Sequence, residues 1–155
     1  MKNILFVCLG NICRSPLAEA IFNHQIKQRN LADKFSSDSA GTSNYHIGEN
    51  PDTRSIASAV SHGVEISHKG RQFHYLDGKK FDYILAMDKN NYRDIIHEMG
   101  NKHEGLYLMR QFDDKNKGAD VPDPYYGGED GFENVFQILS LSINNFIDFL
   151  VKKEN

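Results

Sequence analysis

The sequence predicts a single α/β domain over residues 1–155, built as a four-stranded, parallel, twisted sheet flanked by helices on both faces. Three observations support this fold class. Short apolar runs alternate with amphipathic segments along the chain, as in βαβ units. The first run is continuously apolar, as expected for a strand covered on both faces. The length of 155 residues suits one core.

The first half of the chain contains two strands and two helices. Residues 4–7 (Ile-Leu-Phe-Val) form the first strand. Ser15 is expected to cap the following helix, with Pro16 at its first position. Residues 35–40 form a weaker strand that ends at a glycine, and residues 52–62 form a helix that a further glycine terminates.

The second half repeats the alternation. Residues 81–87 form a strong strand, and Asp88 caps a helix that ends at Gly100. Residues 106–109 form the fourth strand. The last helix carries the clearest apolar stripe, which consists of Val135, Ile138, Leu139, Ile143, Phe146, Ile147 and Leu150. Residues 111–130 form a loop, and a loop of this length usually has a function.

Composition and charge restrict the functional class. Against 21 acidic residues the chain has 18 basic ones, a net charge of −3, which argues against nucleic acid or an anionic membrane as its partner. The N-terminal apolar run is shorter than a signal peptide requires, so we expect a cytoplasmic protein, with export without a signal peptide left open. Two cysteines provide no disulfide framework, and they are too few for a structural zinc site unless histidines contribute. No metal or cofactor is expected.

The segment between the first strand and the first helix is a candidate phosphate-binding loop. Backbone N–H groups converge where a strand runs through a short loop into a helix, and the helix dipole adds positive charge. The segment begins with Cys8, ends with Arg14-Ser15 and has the Cys-x5-Arg spacing. Its other members are Leu9, Gly10, Asn11, Ile12 and Cys13.

This pattern predicts a nucleophilic thiol. Loop amides stabilise a thiolate at Cys8, and Arg14 offers a planar fork that matches two phosphate oxygens. The hydroxyl of Ser15 can hydrogen-bond the sulfur, and the side chain of Asn11 can hold the loop in shape. The alternative is that Cys8 and Cys13 are small buried hydrophobic residues.

A candidate general acid lies in the late loop. A thiolate that attacks a phosphate ester needs an acid to protonate the departing oxygen. Asp123 lies between Pro122 and Pro124, which restrict the local backbone. The alternative is an ordinary Asp-Pro surface turn.

These motifs resemble the low-molecular-weight protein-tyrosine phosphatases, in their bacterial type. The resemblance rests on Cys-Leu-Gly-Asn-Ile-Cys-Arg-Ser-Pro from Cys8 and Asp-Pro-Tyr-Tyr-Gly-Gly from Asp123. Further matching stretches begin at Ser39, Ser67 and Ala86, so that it covers essentially the whole chain. It implies a phosphocysteine on Cys8, phosphate binding by Arg14, and Asp123 as general acid and then base.

The resemblance also implies supporting residues and partners. Ser39 and His68 would complete a network that shapes the loop. Phosphotyrosine-bearing proteins would be the substrates, phosphate-like oxyanions the inhibitors, and a tyrosine kinase a candidate partner. The residues implied for the substrate pocket are Tyr45, Asp88, Tyr125 and Tyr126.

Two loop positions refine this reading. Relatives that act on phosphoarginine tend to carry threonine where this chain has Ile12, so the resemblance favours phosphotyrosine. Cys13 resembles the family's second loop cysteine, which can form a reversible disulfide with Cys8 and protect it from over-oxidation. Its alternative is simple packing. Two other functions stay open: an arsenate reductase on the same fold, and a non-catalytic phosphate-binding module.

Overall fold

A computed structural model describes residues 1–125 and 127–155. Four parallel strands form one sheet in the order β2-β1-β3-β4, which confirms the predicted fold class. The strands are β1 (Lys2–Cys8), β2 (Phe35–Gly41), β3 (Tyr83–Ala86) and β4 (Leu106–Leu108). The helices are α1 (Arg14–Gln28), α2 (Thr53–Ser61), α3 (Asp77–Lys80), α4 (Lys89–Met99) and α5 (Glu129–Glu154), and a 3₁₀ turn spans Met109–Phe112.

The central strand β1 is buried on both faces, which explains its unbroken apolar sequence. Ile4 and Phe6 pack into a large core with α1 and α5. Leu5 and Val7 pack into a second core on the opposite face, where Ile95 of α4 covers them. The two cores hold β1 firmly, and the segment that leaves its carboxyl end starts from a fixed point.

Helix α1 begins earlier than the sequence predicted. It starts at Arg14, with Cys13 at the N-cap position and no side-chain cap, so the prediction that Ser15 caps it was wrong. The hydroxyl of Ser15 instead lies 3.0 Å from the sulfur of Cys8. The predicted cap of α4 is confirmed, because the carboxylate of Asp88 accepts a hydrogen bond from the backbone N–H of Asn91.

The strand boundaries also differ slightly. Strand β3 is confined to Tyr83–Ala86, and β4 ends at Leu108, where the chain turns into the 3₁₀ segment. The last paired residue of β3 is Ala86, which lies opposite Val7 of β1 and Leu108 of β4. Helix α3 and the 3₁₀ turn each have four residues, too few for a periodic signal.

Helix α5 alone among the described residues is long and apolar enough to cross a membrane by length and composition. Its apolar side is occupied within the domain. Phe146 contacts the rings of Phe22 and Tyr83. Leu139, Ile143 and the rest of the stripe are buried, except Ile138, which is partly buried. The hydrophobicity of this helix is therefore that of a core helix.

Candidate active site

Cys8 and Arg14 are brought together by the chain between β1 and α1. Cys8 is the last residue of β1, and Arg14 is the first of α1. Asn11 lies between them with a φ of 58°, a left-handed conformation that asparagine adopts more readily than most residues. Its backbone N–H donates to the Cys8 sulfur at 3.3 Å, and the Ser15 hydroxyl is 3.0 Å from the same atom. Two polar groups therefore face the thiol.

The side chain of Asn11 holds the loop to three other segments. Its Nδ2 donates to the hydroxyls of Ser15 at 2.8 Å and Ser39 at 3.0 Å. Its Oδ1 accepts from the backbone N–H of Arg71 at 3.0 Å and lies 2.7 Å from Nε2 of His68. Because Oδ1 only accepts, Nε2 of His68 carries a proton. The structure thus brings Ser39 and His68 to the loop.

A cluster of titratable side chains lies behind this network. Nδ1 of His68 is 3.3 Å from Oε1 of Glu19 and 3.9 Å from Asp38. Burial raises the pKa of Glu19 to about 7 and lowers the pKa of His68. The carboxyl group of Glu19 is therefore partly protonated near neutral pH. The guanidinium of Arg71 contacts Asp38 at 3.0 Å, so the cluster already contains its compensating positive charge.

Arg14 is buried and oriented by three oxygens. Its Nη1 donates to Asp88 at 2.8 Å and to the carbonyl of Val121 at 3.0 Å, and Nη2 lies 3.6 Å from Asp123. Burial alone would lower the pKa of Arg14, but Cys8, Asp88 and Asp123 raise it. The guanidinium stays charged and points into the same cleft as the thiol.

The cleft has a volume of about 270 Å³. The predicted residues on its wall are Cys8, Leu9, Gly10, Ile12, Cys13, Arg14, Tyr45, Asp123 and Tyr125. Asp123 lies at the mouth, where its Oδ1 accepts from the backbone N–H of Tyr125 at 3.0 Å. Tyr126, which the sequence also assigned to the pocket, lies outside the described residues.

His46 is a cleft residue that sequence reasoning missed. Its ring packs against Gly10, where an added Cβ would lie 3.0 Å from Cδ2, and its ring centre is 6.4 Å from that of Tyr125. Its Nδ1 is 2.9 Å from Glu49. The signal available was its position next to Tyr45, which the resemblance assigns to the substrate pocket.

Cys13 lies in the loop as a free, buried thiol. Burial, followed by the nearby carboxylate of Asp52, raises its pKa. The sulfur is therefore protonated at neutral pH. Cys8 is also free and buried, so the two cysteines are present as separate thiols.

Comparisons with known proteins find similar sequences and structures along almost the whole chain. The family model of the low molecular weight phosphotyrosine protein phosphatases matches residues 3–155. A Synechocystis protein, provisionally named in that family, is 45% identical over 152 residues, or 97% of each chain. A protein tyrosine phosphatase from Entamoeba histolytica, solved with Hepes in its active site, has a TM-score of 0.94 and 39% identity over 100% of both chains. The Drosophila arginine phosphatase has a TM-score of 0.87 and 33% identity, and the match covers 97% of this chain and 98% of that one. The chain belongs to the low molecular weight phosphotyrosine protein phosphatase family, and it is a hydrolase that acts on phosphoproteins.

Proposed function

We propose that this enzyme hydrolyses phosphotyrosine in proteins through a phosphocysteine on Cys8. The observation that carries the proposal is that one cleft contains the Cys8 sulfur, the Arg14 guanidinium and the Asp123 carboxyl group. These are a nucleophile, an oxyanion-binding group and a proton donor, the three groups that the reaction requires.

The first step transfers the phosphoryl group to the enzyme. The Cys8 thiolate forms an S–P bond as the bond between phosphorus and the tyrosyl oxygen breaks. Protonated Asp123 gives its proton to that oxygen, so that tyrosine leaves as a neutral phenol. Arg14 and the loop N–H groups bind the equatorial oxygens, where charge is spread in the transition state.

The second step returns the enzyme to its starting state. Asp123, now a carboxylate, accepts a proton from a water molecule whose oxygen attacks phosphorus. The S–P bond breaks and inorganic phosphate leaves. The hydroxyl of Ser15 and the N–H of Asn11, which lie at 3.0 and 3.3 Å from the sulfur, stabilise the departing thiolate.

Aromatic side chains at the mouth favour a phosphorylated ring as the substrate. Tyr45 and Tyr125 line the cleft with His46, and flat rings suit the stem of phosphotyrosine. The phosphorus must reach a sulfur at the bottom of the cleft, because Cys8 is 3% exposed. The short stem of phosphoserine would leave its phosphorus out of reach.

Phosphoarginine is the competing substrate, since the similar Drosophila protein is named as an arginine phosphatase. Ile12, which lines the cleft here, has no hydroxyl to accept a hydrogen bond from a guanidinium. Phosphotyrosine and phosphoarginine peptides of matched sequence test this choice. We expect turnover of the former only, and Ile12→Thr should raise the ratio of phosphoarginine to phosphotyrosine turnover.

Oxyanions should inhibit by occupying the loop. The Entamoeba phosphatase holds Hepes in its active site, and Hepes carries a sulfonate group. By analogy, phosphate and vanadate should compete with substrate at Arg14. Arg14→Met should abolish the binding of both oxyanions, whereas Arg29→Met, which removes a half-buried arginine paired with Asp148, should leave it unchanged.

Two variants test the mechanism directly. Cys8→Ser should abolish hydrolysis of p-nitrophenyl phosphate. Asp123→Ala should reduce kcat/KM more for phenyl phosphate than for p-nitrophenyl phosphate, because nitrophenolate leaves without a proton. Asp33→Ala, at an exposed position remote from the cleft, is the matched control. Turnover by Cys8→Ser, or equal slowing of both esters by Asp123→Ala, would contradict the assigned roles.

Arsenate reduction and non-catalytic phosphate binding are the alternatives. Reductases on this scaffold pass a disulfide to further cysteines, and the sequence contains none after Cys13. Thioredoxin-coupled arsenate reduction above background would favour the first alternative. Phosphate binding without a burst of phenol release would favour the second.

The partner class follows from the chemistry. We place the enzyme in the cytoplasm, where a reducing environment keeps Cys8 as a thiol, opposite a tyrosine kinase that makes its substrates. Capture of phosphoproteins from the native cell by Asp123→Ala tests this. Retention of proteins that an anti-phosphotyrosine antibody detects, and their loss upon addition of vanadate, is the expected result.

A further inference from the structure

Arg54, near the start of α2, contacts the loop that carries Asp123. Its Nη2 donates to the carbonyl of Tyr125 at 3.0 Å, and its Nη1 donates to the carbonyl of Gly127 at 3.4 Å. Its guanidinium also lies over two rings, 5.5 Å from the centre of Tyr125 and 4.7 Å from that of Phe132. One side chain therefore holds the late loop by two carbonyls and an aromatic face.

The other side of Arg54 is fixed by Asp52. The Asp52 carboxylate accepts from Nε and Nη2 of Arg54, both at 3.0 Å, and it caps α2 through the backbone N–H of Arg54 at 2.9 Å. This two-point ion pair sets the plane of the guanidinium. Arg54 lowers the pKa of Asp52 through these bonds, so the pair stays charged.

The same pair is connected to the phosphate-binding loop. The backbone N–H of Asp52 donates to the carbonyl of Ile12 at 2.8 Å, and Ser55 of α2 donates to the carbonyl of Cys13 at 3.1 Å. The start of α2 thus contacts the nucleophile loop on one side and the acid loop on the other. Its position sets the distance between them.

We propose that Arg54 is a positioning residue for the general acid, a role that rests on the proposed function of Asp123. Arg54 holds the carbonyl of Tyr125, and the N–H of the same residue donates to Oδ1 of Asp123 at 3.0 Å. A displacement of Tyr125 therefore moves the carboxyl group. Arg54 itself does not touch the reacting atoms.

The geometry separates this role from simple stabilisation of the domain. The side chain of Arg54 is 38% exposed, and its hydrogen bonds are to the capping residue and the acid loop. Its loss should disturb proton donation while leaving the phosphate loop intact. The effect should thus depend on how much the leaving group needs a proton.

The test compares Arg54→Met, Arg54→Lys and Asp123→Ala, each alone, and Arg54→Met combined with Asp123→Ala. The readouts are kcat/KM for phenyl and p-nitrophenyl phosphate, because kcat/KM reports the steps through phenol release, and inhibition by inorganic phosphate. Arg29→Met is the matched control. Arg54→Lys keeps the charge beside Asp52 but cannot hold both carbonyls, and it serves if Arg54→Met fails to fold.

We expect Arg54→Met to lower kcat/KM for phenyl phosphate by about tenfold and for p-nitrophenyl phosphate by less than about twofold, a fraction of what a general acid supplies. The kcat/KM values of Arg54→Lys should lie between those of the wild type and Arg54→Met, and inhibition by phosphate should not change. In the Asp123→Ala background, Arg54→Met should not lower kcat/KM for phenyl phosphate any further relative to p-nitrophenyl phosphate.

Other outcomes overturn the proposal in distinguishable ways. Equal losses on both esters, or weaker phosphate inhibition, would make Arg54 a structural residue. Asp123→Ala could lower kcat/KM more for phenyl phosphate than for p-nitrophenyl phosphate while neither Arg54 variant does so. That result would refute the positioning role and leave the mechanism standing. Wild-type leaving-group dependence in Asp123→Ala would remove the acid assignment, and the role of Arg54 with it.

Discussion

Gly41 should be intolerant of even one added carbon, because of where β2 ends. It pairs with Cys8 in the register of β1 and β2, directly beside the phosphate-binding loop. A Cβ at this position would lie 2.7 Å from the carbonyl oxygen of Leu9 and 3.1 Å from both Cβ and N of Asn11. All three atoms belong to the phosphate-binding loop that follows Cys8.

Relief of this clash requires the phosphate-binding loop to move, and hydrogen bonds hold that loop in place. The carbonyl of Leu9 accepts from both the backbone N–H and the hydroxyl of Ser43 at 2.9 Å, and the N–H of Asn11 bonds the sulfur of Cys8. The loop must withdraw by about 0.5 Å to restore ordinary contacts, at a cost of about 2 kcal/mol. That lowers the Tm of a domain of this size by roughly 4–8 °C.

The catalytic efficiency of Gly41→Ala should also fall. A misplacement of about 1 Å can cost on the order of a hundredfold in rate, so we expect kcat/KM of Gly41→Ala for a phosphotyrosine peptide to fall by about tenfold.

Gly78→Ala is the matched control. An added Cβ there would lie at the same 2.7 Å, but from the flexible Sδ of Met99, and activity should be retained. Wild-type kcat/KM in Gly41→Ala, measured with folded protein, would refute the claim that the loop cannot move.

Three further perturbations address the surrounding groups. Ser39→Ala removes hydrogen bonds to Asn11 and Glu19 and should lower the free energy of unfolding by about 1–2 kcal/mol in urea melts, with a parallel loss of kcat/KM. Cys13→Ser should make inactivation by peroxide irreversible to dithiothreitol, whereas recovery like that of the wild type would remove the protective role. Because the pKa of Glu19 rises from 4.5 to about 7 on folding, its stabilising contribution is complete below about pH 4.5 and is lost as the pH rises through 7. The free energy of unfolding of the wild type should therefore fall relative to Glu19→Gln by up to about 3 kcal/mol between pH 4.5 and 8, and a constant difference would contradict the raised pKa.

The parts of the fold that the sequence predicts are those with local causes. The apolar run of β1 and the capping carboxylate of Asp88 act within a few residues of the elements that they define, and both were predicted. Ser15 shows the limit of this reasoning. Its residue type and its neighbour Pro16 favour a cap, but a tertiary contact, the sulfur of Cys8 at 3.0 Å, uses the hydroxyl instead.

The unpredicted parts of the site depend on contacts between distant segments. The roles of Glu19, Arg54 and Arg71 come from packing of α1, α2 and the segment after α2 around the loop, and each residue read alone is an ordinary exposed charge. Nothing in local periodicity brings Arg71 to Asn11, 60 residues away along the chain. The motif located the chemistry, and only the tertiary structure identifies what holds it in place.

Topology accounts for why these groups meet where they do. In the order β2-β1-β3-β4 the chain leaves β1 in one direction to reach β2 and crosses back to reach β3, so a crevice opens at the carboxyl ends of β1 and β3. Cys8 ends β1 and Asp88 follows β3, and Arg14 contacts the latter across the crevice at 2.8 Å. The loop that carries Asp123 is held at the same edge, because the N–H of Val121 donates to the carbonyl of Met87 at 2.8 Å. A phosphate bound by Arg14 therefore lies between a nucleophile fixed by one strand and an acid loop fixed by its neighbour, so changes that separate β1 from β3 should impair catalysis even when no cleft residue is altered.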